Sequence, residues 1–369
     1  MSNIPRKEYP RPQFVRENWM NLNGTWAFEI DNGRSGEARG LQKVGTALSG
    51  EITVPFCPES ELSGVQHTDF MYGVWYKRTV TVTEKQLKGR AVLHFGAVDY
   101  CAKVFVNGEL AGTHKGGYVS FEFDVTALLK AGENEIAVYA EDNTRDRLIP
   151  SGKQSEQYNS YGCFYTRTTG IWQTVWLEPV ASSHITSIKA IPNIDNGVMS
   201  VTVGACSDSP VSDIVEVSLL DKGQVVATAK GVQGTELRLA VQNPTLWEPS
   251  NPYLYDMKVS LSKNGKKVDE VKSYTAFRKI SAERDANGIM RMRLNNKNLF
   301  QYGPLDQGWW PDGLYTAPTD EALLYDIVKT KAWGFNMIRK HVKVEPARWY
   351  YHCDKEGMLV WQDMPSGDM

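Results

Sequence analysis

The sequence predicts a mostly β protein that ends in a short α/β segment. Residues 1–181 and 182–278 contain short alternating strands separated by turn residues, with almost no helical periodicity. From residue 279 the pattern changes to strand, helix, strand, helix, strand. Such a change along a chain indicates separately packed units. A length of 369 residues also suits more than one domain. We therefore predict three units, with boundaries after residues 181 and 278.

The first unit, residues 1–181, is predicted to be a two-sheet β-sandwich or jelly roll. Val74–Val82 is a long alternating strand, and Lys103–Val106 leads into Asn107-Gly108, a strong hairpin signal. Many short strands at regular spacing are typical of such sandwiches. The polar and aromatic stretch Asp142–Gly162 is long for a loop, and long loops are usually functional or mobile. We expect it to reach a functional site.

The second unit, residues 182–278, is predicted to be an immunoglobulin-like β-sandwich. Alternating runs occupy Val198–Val203, Asp213–Leu220 and Tyr255–Leu261, with Asn-Gly turns at positions 196 and 264. A unit of under 100 residues with this strand density suits that fold. Its residues form no catalytic pattern. We expect it to be a spacer or to pack against a neighbouring unit.

The third unit, residues 279–369, is predicted to contain parallel strands joined by helices. The first strand is expected to end near Tyr302-Gly303. Thr319 should cap the first helix, and Pro346 and Gly357 should begin and end the second. The predicted buried stripe of the first helix is Leu323, Leu324, Ile327 and Val328. Right-handed βαβ connections would bring the C-terminal strand ends to one edge.

Composition excludes several classes of partner. The formal net charge is −2 and the basic residues are dispersed, so neither a nucleic acid nor a membrane surface is expected as a partner. No apolar run is long enough for a transmembrane helix. The N-terminal residues lack the apolar core of a signal peptide, which favours a cytoplasmic protein. A periplasmic or secreted location stays open if a signal was removed, and a homo-oligomer is neither required nor ruled out.

The cysteine and histidine spacings predict no metal site and no cofactor. Five cysteines are scattered without Cys-x-x-Cys spacing, which favours reduced structural thiols. His341 and His352 lack a third ligand at any spacing typical of zinc. No glycine-rich stretch matches a phosphate loop, and no Gly-x-Ser-x-Gly elbow occurs.

Several motifs nevertheless resemble one enzyme family. In the third unit they are Asn336-x-Ile338-Arg339, Trp349-Tyr350 and Asp354-x-x-Gly357 followed by four apolar residues. In the first unit they are VPFCPES (54–60), WYKR (75–78), VFVNG (104–108), GTHKGGY (112–118) and TTGIWQTVWLE (168–178). Together they resemble glycoside hydrolase family 2, which includes β-galactosidases, β-glucuronidases and β-mannosidases. One departure stands out: the position of the family histidine is occupied by Val342, and His341 lies one place earlier.

The resemblance implies a specific architecture and activity. It implies a jelly-roll, "sugar-binding" domain at 1–181, an immunoglobulin-like domain at 182–278, and an incomplete (β/α)₈ barrel of about three βα units at 279–369. A complete barrel takes roughly 250 residues. The implied activity is retaining hydrolysis of β-glycosides. In the family both catalytic glutamates follow later barrel strands, so they are expected beyond this chain, which alone should be inactive.

The predicted site residues lie at the strand ends of the third unit. Arg339 is the best candidate for a supporting residue, because the family arginine at this position lies beside the nucleophilic glutamate; a structural ion pair is the alternative. Sugar rings stack on aromatic faces, and their hydroxyl groups need polar partners. The predicted sugar-binding residues are therefore Asp306, Gln307, Trp309, Trp310, Trp361 and Asp363.

Two other functions stay open from the sequence. One is a non-catalytic carbohydrate-binding protein, because no pair of glutamates is expected at strand ends: Glu321, Glu345 and Glu356 are all predicted in helices. The other is a structural or adhesive β-sandwich protein. The polar strand ends of residues 334–363 argue against the latter, because an adhesin does not need them.

Overall fold

The structure, a computed structural model, describes residues 4–207 and 213–367. These residues are mostly β, as predicted, and their strands form several separate sheets. Within these ranges no helix is long and apolar enough to span a bilayer. All five cysteines are free thiols, and Cys57 and Cys353 are buried.

The first part of the chain forms two large antiparallel sheets around a shared apolar core, and two short strands, Val98–Asp99 and Gly170–Ile171, pair in a third sheet. One sheet has the order β3-β2-β4-β10-β7-β8 and the other β1-β12-β5-β9. Val104 and Leu93 represent the two sheets in the core, and both are fully buried. The strands are β1 Met20–Asn21, β2 Gly24–Ile30, β3 Gly50–Val54, β4 Gly73–Val82, β5 Arg90–Phe95, β6 Val98–Asp99, β7 Cys101–Val106, β8 Glu109–Lys115, β9 Phe121–Asp124, β10 Gly132–Glu141, β11 Gly170–Ile171 and β12 Val175–Val180, with a short helix α1 Gly36–Arg39 and 3₁₀ turns at Glu61–Ser63 and Thr126–Leu128.

The predicted hairpin between β7 and β8 is confirmed. Asn107 and Gly108 have φ angles of 52° and 85°, and these are the two left-handed residues that a tight hairpin turn requires. The turn joins two long strands, and it places the edge strand β8 beside β7.

The second part forms another pair of antiparallel sheets, consistent with an immunoglobulin-like sandwich. Their orders are β13-β14-β17 and β16-β15-β18-β19. Val201 and Val217 from the two sheets are fully buried in one core. The strands are β13 His184–Asn193, β14 Val198–Cys206, β15 Asp213–Asp221, β16 Gln224–Val232, β17 Glu236–Ala240, β18 Tyr255–Lys263 and β19 Lys266–Thr275.

The last part combines a small antiparallel sheet with a three-stranded parallel sheet. The antiparallel strands are β20 Ile280–Arg284, β21 Met290–Leu294 and β22 Lys297–Asn298; the parallel strands are β23 Leu305–Asp306, β24 Met337–Lys340 and β25 Leu359–Gln362, joined by α2 Asp320–Ala332 and α3 Ala347–Glu356. The strand–helix alternation predicted for this segment is therefore confirmed.

Its details differ from the prediction in two places. The first parallel strand, β23, ends at Asp306, three residues after the expected end at Gly303, although the amide of Asn336 already donates to the carbonyl of Tyr302 at 3.0 Å. Pro304 has no amide hydrogen for the ladder, so regular pairing begins only after it. In α2, Leu323 and Ile327 are buried as predicted, whereas Val328 is 41% exposed. The predicted stripe was therefore too wide.

The predicted helix ends are confirmed. The hydroxyl of Thr319 accepts a hydrogen bond from the amide of Ala322 at 3.1 Å, which caps α2. Pro346 precedes the first helical residue of α3. Gly357 ends α3 with a φ of 81°, a conformation that favours glycine.

Polar contacts join the second sandwich to the parallel unit through Asp354 of α3. Its carboxylate accepts from Arg278 at 2.6 Å and from the hydroxyl of Tyr274 at 2.9 Å. Its backbone carbonyl accepts from the indole of Trp247 at 2.6 Å. The second sandwich thus packs against its neighbour, one of the two roles expected for it.

Candidate functional site

The candidate site lies at the C-terminal ends of the parallel strands. Paired residues form two rows across the sheet: Leu305, Arg339 and Trp361, followed by Asp306, Lys340 and Gln362. Successive side chains of a strand point to opposite faces, so the two rows face opposite ways. The ammonium of Lys340 lies 4.5 Å from the ring centre of Trp349 in α3, which identifies its face as the helix-covered one.

Arg339, Trp361 and Asp363 share the open face. The guanidinium Nε of Arg339 donates to Asp363 Oδ2 at 2.9 Å, and the arginine side chain remains 45% exposed. Trp361 is 41% exposed, and its indole donates to Gln301 Oε1 at 2.5 Å. His341 Nε2 lies 3.7 Å from Asp363 Oδ2. Three of the predicted site residues are thus brought together, with polar groups accessible from outside.

Asp306 lies on the other face, within a buried charge network. Lys340 Nζ is 2.7 Å from Asp306 Oδ2 and 2.8 Å from Glu345 Oε1, and Lys343 Nζ is 3.0 Å from the same Glu345 oxygen. Glu345 was predicted to be helical, but it lies in the loop between β24 and α3. Pro346 begins the helix only after it. Both lysines form ion pairs with the Glu345 carboxylate, which is buried.

Burial and charge oppose each other in this network. Burial lowers the pKa of Lys343 to about 8, although Glu345 favours its charged form. Burial by itself would raise the pKa of Glu345, but the charges of Lys340 and Lys343 outweigh it and lower that pKa. For Lys340, burial is likewise overcome by Glu345 and Asp306, and its pKa is raised. The network is therefore a set of mutually dependent charges.

Trp309 and Trp310 lie in different surroundings. Trp309 packs against Tyr315 and Tyr165, with ring centres 4.4 Å and 4.8 Å away. Trp310 packs against the apolar core between the helices and the parallel sheet, and its buried indole nitrogen has no hydrogen-bond partner in the part of the chain that the structure describes. Both residues were predicted to bind sugar, and both rings are partly buried.

The loop predicted to reach the site does contact the strand-end loops. Lys153 Nζ donates to Gln307 Oε1 at 2.7 Å. Gly152 has a φ of 60°, and an added Cβ there would lie 2.6 Å from the carbonyl oxygen of Val342. The first sandwich and the parallel unit therefore approach each other closely here, and Gln307 is held from the sandwich side.

Three buried carboxyl groups lie near the root of this loop, and sequence reasoning missed all three. Asp99 Oδ2 accepts from Gln154 at 2.7 Å, Asp142 Oδ2 from the hydroxyl of Thr169 at 3.3 Å, and Glu59 Oε2 from the Thr169 amide at 3.2 Å. Burial raises the pKa of Glu59 to about 7 and raises those of the two aspartates. Glu59 lies in the VPFCPES motif, which was the available signal.

The histidines do not assemble a metal site. His352 Nε2 lies 3.1 Å from Asp320 Oδ1, on the first turn of α2, away from His341. Over residues 4–207 and 213–367, no group of three histidine, cysteine, aspartate or glutamate side chains is arranged to hold a metal ion.

Comparison with known families identifies the two sandwiches. The profile of the glycosyl hydrolases family 2 sugar-binding domain matches residues 19–165, and that of glycosyl hydrolases family 2 matches residues 183–278. The two matches together cover more than half of the chain. The chain belongs to glycoside hydrolase family 2. Its first two sandwiches correspond to the matched regions.

Individual family 2 proteins are similar at modest identity. A β-galactosidase of Thermoanaerobacter pseudethanolicus is 27% identical over 80% of this chain and 40% of its own length. A β-glucuronidase of Bacteroides fragilis is 26% identical over 93% of this chain and 49% of its own length. The chain thus spans about half or less of these two relatives.

Solved family 2 structures share the fold. The β-glucuronidase of Ruminococcus gnavus in complex with D-glucuronic acid has a TM-score of 0.80 and 20% identity. The alignment covers 100% of this chain and 63% of that enzyme. The likeness therefore extends past the two sandwiches matched by the family profiles.

Proposed function

We propose that this family 2 chain provides part of the substrate pocket of a retaining hydrolase that acts on β-glycosides. In this proposal residues 1–181 and 182–278 are its two sandwich domains, and residues 279–369 supply the first strands of a (β/α)₈ barrel. The observation that carries the proposal is the half-exposed Arg339 at a parallel strand end, beside an exposed Trp361. Strand C-terminal ends are where such barrels place catalytic residues.

The proposal assigns the two catalytic glutamates to positions outside residues 1–369. A retaining glycosidase needs two carboxyl groups about 5–5.5 Å apart, one of them a free nucleophile. The strand-end carboxylates of the described residues are instead engaged by cations: Asp306 and Glu345 by Lys340, and Asp363 by Arg339. Arg339 would exchange part of its contact with Asp363 for the nucleophile, and a guanidinium keeps such a carboxylate ionised.

The sugar contacts divide between direct and supporting roles. In this proposal Gln307, Trp361 and Asp363 offer an amide, an exposed ring and a carboxylate to the sugar, and Trp309, which packs against Tyr165, offers a partly buried ring. Asp306 and Trp310 lie on the helix-covered side and would support the loop from below. A non-catalytic carbohydrate-binding protein is the second candidate, favoured by the same ion pairing of every strand-end carboxylate named above.

Assays of the natural protein distinguish the hydrolase from the non-catalytic carbohydrate-binding protein. Antibodies against the sandwich domains would isolate it from its source cells for assay on chromogenic β-galactosides, β-glucuronides and β-mannosides. Turnover that is lost in an Arg339→Ala strain supports the proposal. Binding of these glycosides without turnover of any of them would favour the binding protein, and neither binding nor turnover would refute both.

A further inference from the structure

Lys153 is a buried lysine that has no acidic partner among the described residues. Its residue exposure is 7%, and its ammonium donates to the neutral amide oxygen of Gln307 at 2.7 Å. No carboxylate within residues 4–207 and 213–367 forms an ion pair with it. Buried charges in proteins are normally paired, because removing a charge from water is costly. The ammonium therefore has capacity for an anion that is not part of these residues.

The other buried lysines at the same strand ends provide an internal comparison. Lys340 contacts two carboxylates, at 2.7 Å and 2.8 Å, and Lys343 contacts Glu345 at 3.0 Å. Lys340 lies on the helix-covered side beside Trp349, and Lys343 lies beside Tyr315, but the charge of each is compensated by a carboxylate. Lys153 reaches the strand ends from the sandwich side and lacks such compensation. Lys340 and Lys343 therefore stabilise the fold through ion pairs, whereas the charge of Lys153 is available to bind an anion.

The surroundings of Lys153 also favour an anion. The Nδ1 atom of His341 is buried and has no hydrogen-bond partner among the described residues. Burial lowers the pKa of His341, and the nearby charge of Lys153 lowers it further. Arg339 adds a further positive charge. Asp363 is the carboxylate that lies near both Arg339 and His341. The close approach of Gly152 to the Val342 carbonyl fixes the loop that carries Lys153 against the loop that carries His341.

We propose that Lys153 and His341 form a subsite for an anionic group of the substrate, either a carboxylate or a sulfate ester. The subsite would select acidic over neutral β-glycosides. This inference rests on the proposed function for the identity of the ligand as a glycoside. The binding chemistry itself belongs to this chain and is measurable without turnover.

Calorimetric titration of the 369-residue chain with three methyl β-glycosides tests the subsite. The glycosides are a glucuronide, a 6-sulfated galactoside and an unmodified galactoside. The wild-type chain should bind at least one acidic glycoside more tightly than the neutral one, and the preferred acid identifies the carboxylate or the sulfate. A charge-assisted hydrogen bond predicts about ten- to hundred-fold weaker acidic binding in Lys153→Met, with neutral binding unchanged.

Two further variants separate charge from structure. Lys153→Arg keeps the charge and should retain most of the preference, whereas Lys88→Met removes a lysine of the first sandwich far from the strand ends and should change nothing. Equal binding of acidic and neutral glycosides by the wild-type chain, or an unchanged preference in Lys153→Met, would overturn the subsite. Loss of the neutral glycoside in parallel would assign Lys153 a structural role and also overturn it.

A measurement on the wild-type chain tests the subsite even if the Lys153 variants do not fold. A bound anion should raise the pKa of His341, because it offsets the charge of Lys153; NMR titration of the ring signals with and without methyl β-glucuronide or the sulfated galactoside reads this directly. No shift with either acid would contradict the subsite. Absence of hydrolysis by the natural protein refutes the proposed function but leaves this binding result standing, so the two failures are distinguishable.

Discussion

Replacing Glu345 with glutamine tests whether the buried charge network holds the parallel strand ends together. The Glu345 side chain is 2% exposed, and its Oε1 atom contacts both Lys340 and Lys343, at 2.8 Å and 3.0 Å. Removing one partner of a buried ion pair typically costs on the order of 3–5 kcal/mol, because the remaining charge is uncompensated.

The structure places the expected cost near the lower end of that range. Lys340 keeps Asp306 as a partner at 2.7 Å. Lys343 has a pKa of about 8 in the folded chain, and loss of Glu345 lowers it further. Once that pKa falls below 7, the lysine is neutral at pH 7, which limits its added cost to about 1.4 kcal/mol. We therefore expect Glu345→Gln to destabilise this part of the fold by about 3 kcal/mol.

Hydrogen exchange of the β24 amides measures the opening free energy of this part of the chain without requiring a global transition. Glu321→Gln, on the exposed first turn of α2, is the matched control and should cost much less than Glu345→Gln, because its charge is exposed to water. The penalty of Glu345→Gln should shrink between pH 7 and 9, because Lys343 then becomes neutral in both proteins. A penalty equal to the control, or one that grows with pH, would refute the reasoning.

Three further predictions follow from the same features. Burial raises the pKa of Glu59 to about 7, so its contribution to stability is full below about pH 4.5 and is lost as pH rises through 7. Glu59→Gln should therefore gain thermal stability relative to wild type at pH 8 but not at pH 4.5; an equal change at both would contradict this. Amides of β24 and β25 should exchange faster than those of β7, since the parallel sheet has two open edges in the described chain, and equal protection in a monomer would argue against it. The 369-residue chain alone should hydrolyse no chromogenic β-glycoside; turnover that disappears in Arg339→Ala would disprove this.

The elements that were predictable are those specified by local chemistry. The turn at Asn107-Gly108 needs two left-handed residues, and the sequence supplies them in order. Thr319 and Gly357 likewise act on their own helix ends. The width of the α2 stripe was not predictable in the same way, because the exposure of Val328 depends on what packs against the helix. Local signals define an element, whereas its buried area depends on its neighbours.

The site was only partly predictable, for a related reason. Arg339, Trp361 and Asp363 follow from position at strand ends, and the structure brings them together. Which face each residue occupies depends on register, and Asp306 is paired with Lys340 on the face opposite Arg339. A shift of one residue reverses the face, and the end of β23 lies three residues after the predicted one, so the sequence did not fix that register. The motif alone could not separate a pocket residue from a packing residue.

Lys153 and Glu345 show what the sequence could not reveal. Each becomes significant only through a contact distant in sequence or through a loop conformation: Lys153 with Gln307, and Glu345 with Lys340 across a turn. No spacing predicts that one buried lysine will meet carboxylates while another meets an amide. The difference in compensation is a property of the assembled interface.

That interface gives the first sandwich a larger role than that of a scaffold. Its loop contributes a charge and also the close contact between Gly152 and the Val342 carbonyl, where a side chain would not fit. Gly152 has a positive φ, and a Cβ atom at this position would lie 2.6 Å from the carbonyl oxygen of Val342, so only glycine fits here. Because Val342 follows His341 directly, the same contact sets where the imidazole sits relative to Lys153. The parallel strands supply Arg339, and the first sandwich supplies Lys153, which contacts Gln307 in the loop after β23. In the proposed function, recognition at the strand ends would therefore be shared between two units, since neither places all of the polar groups on its own.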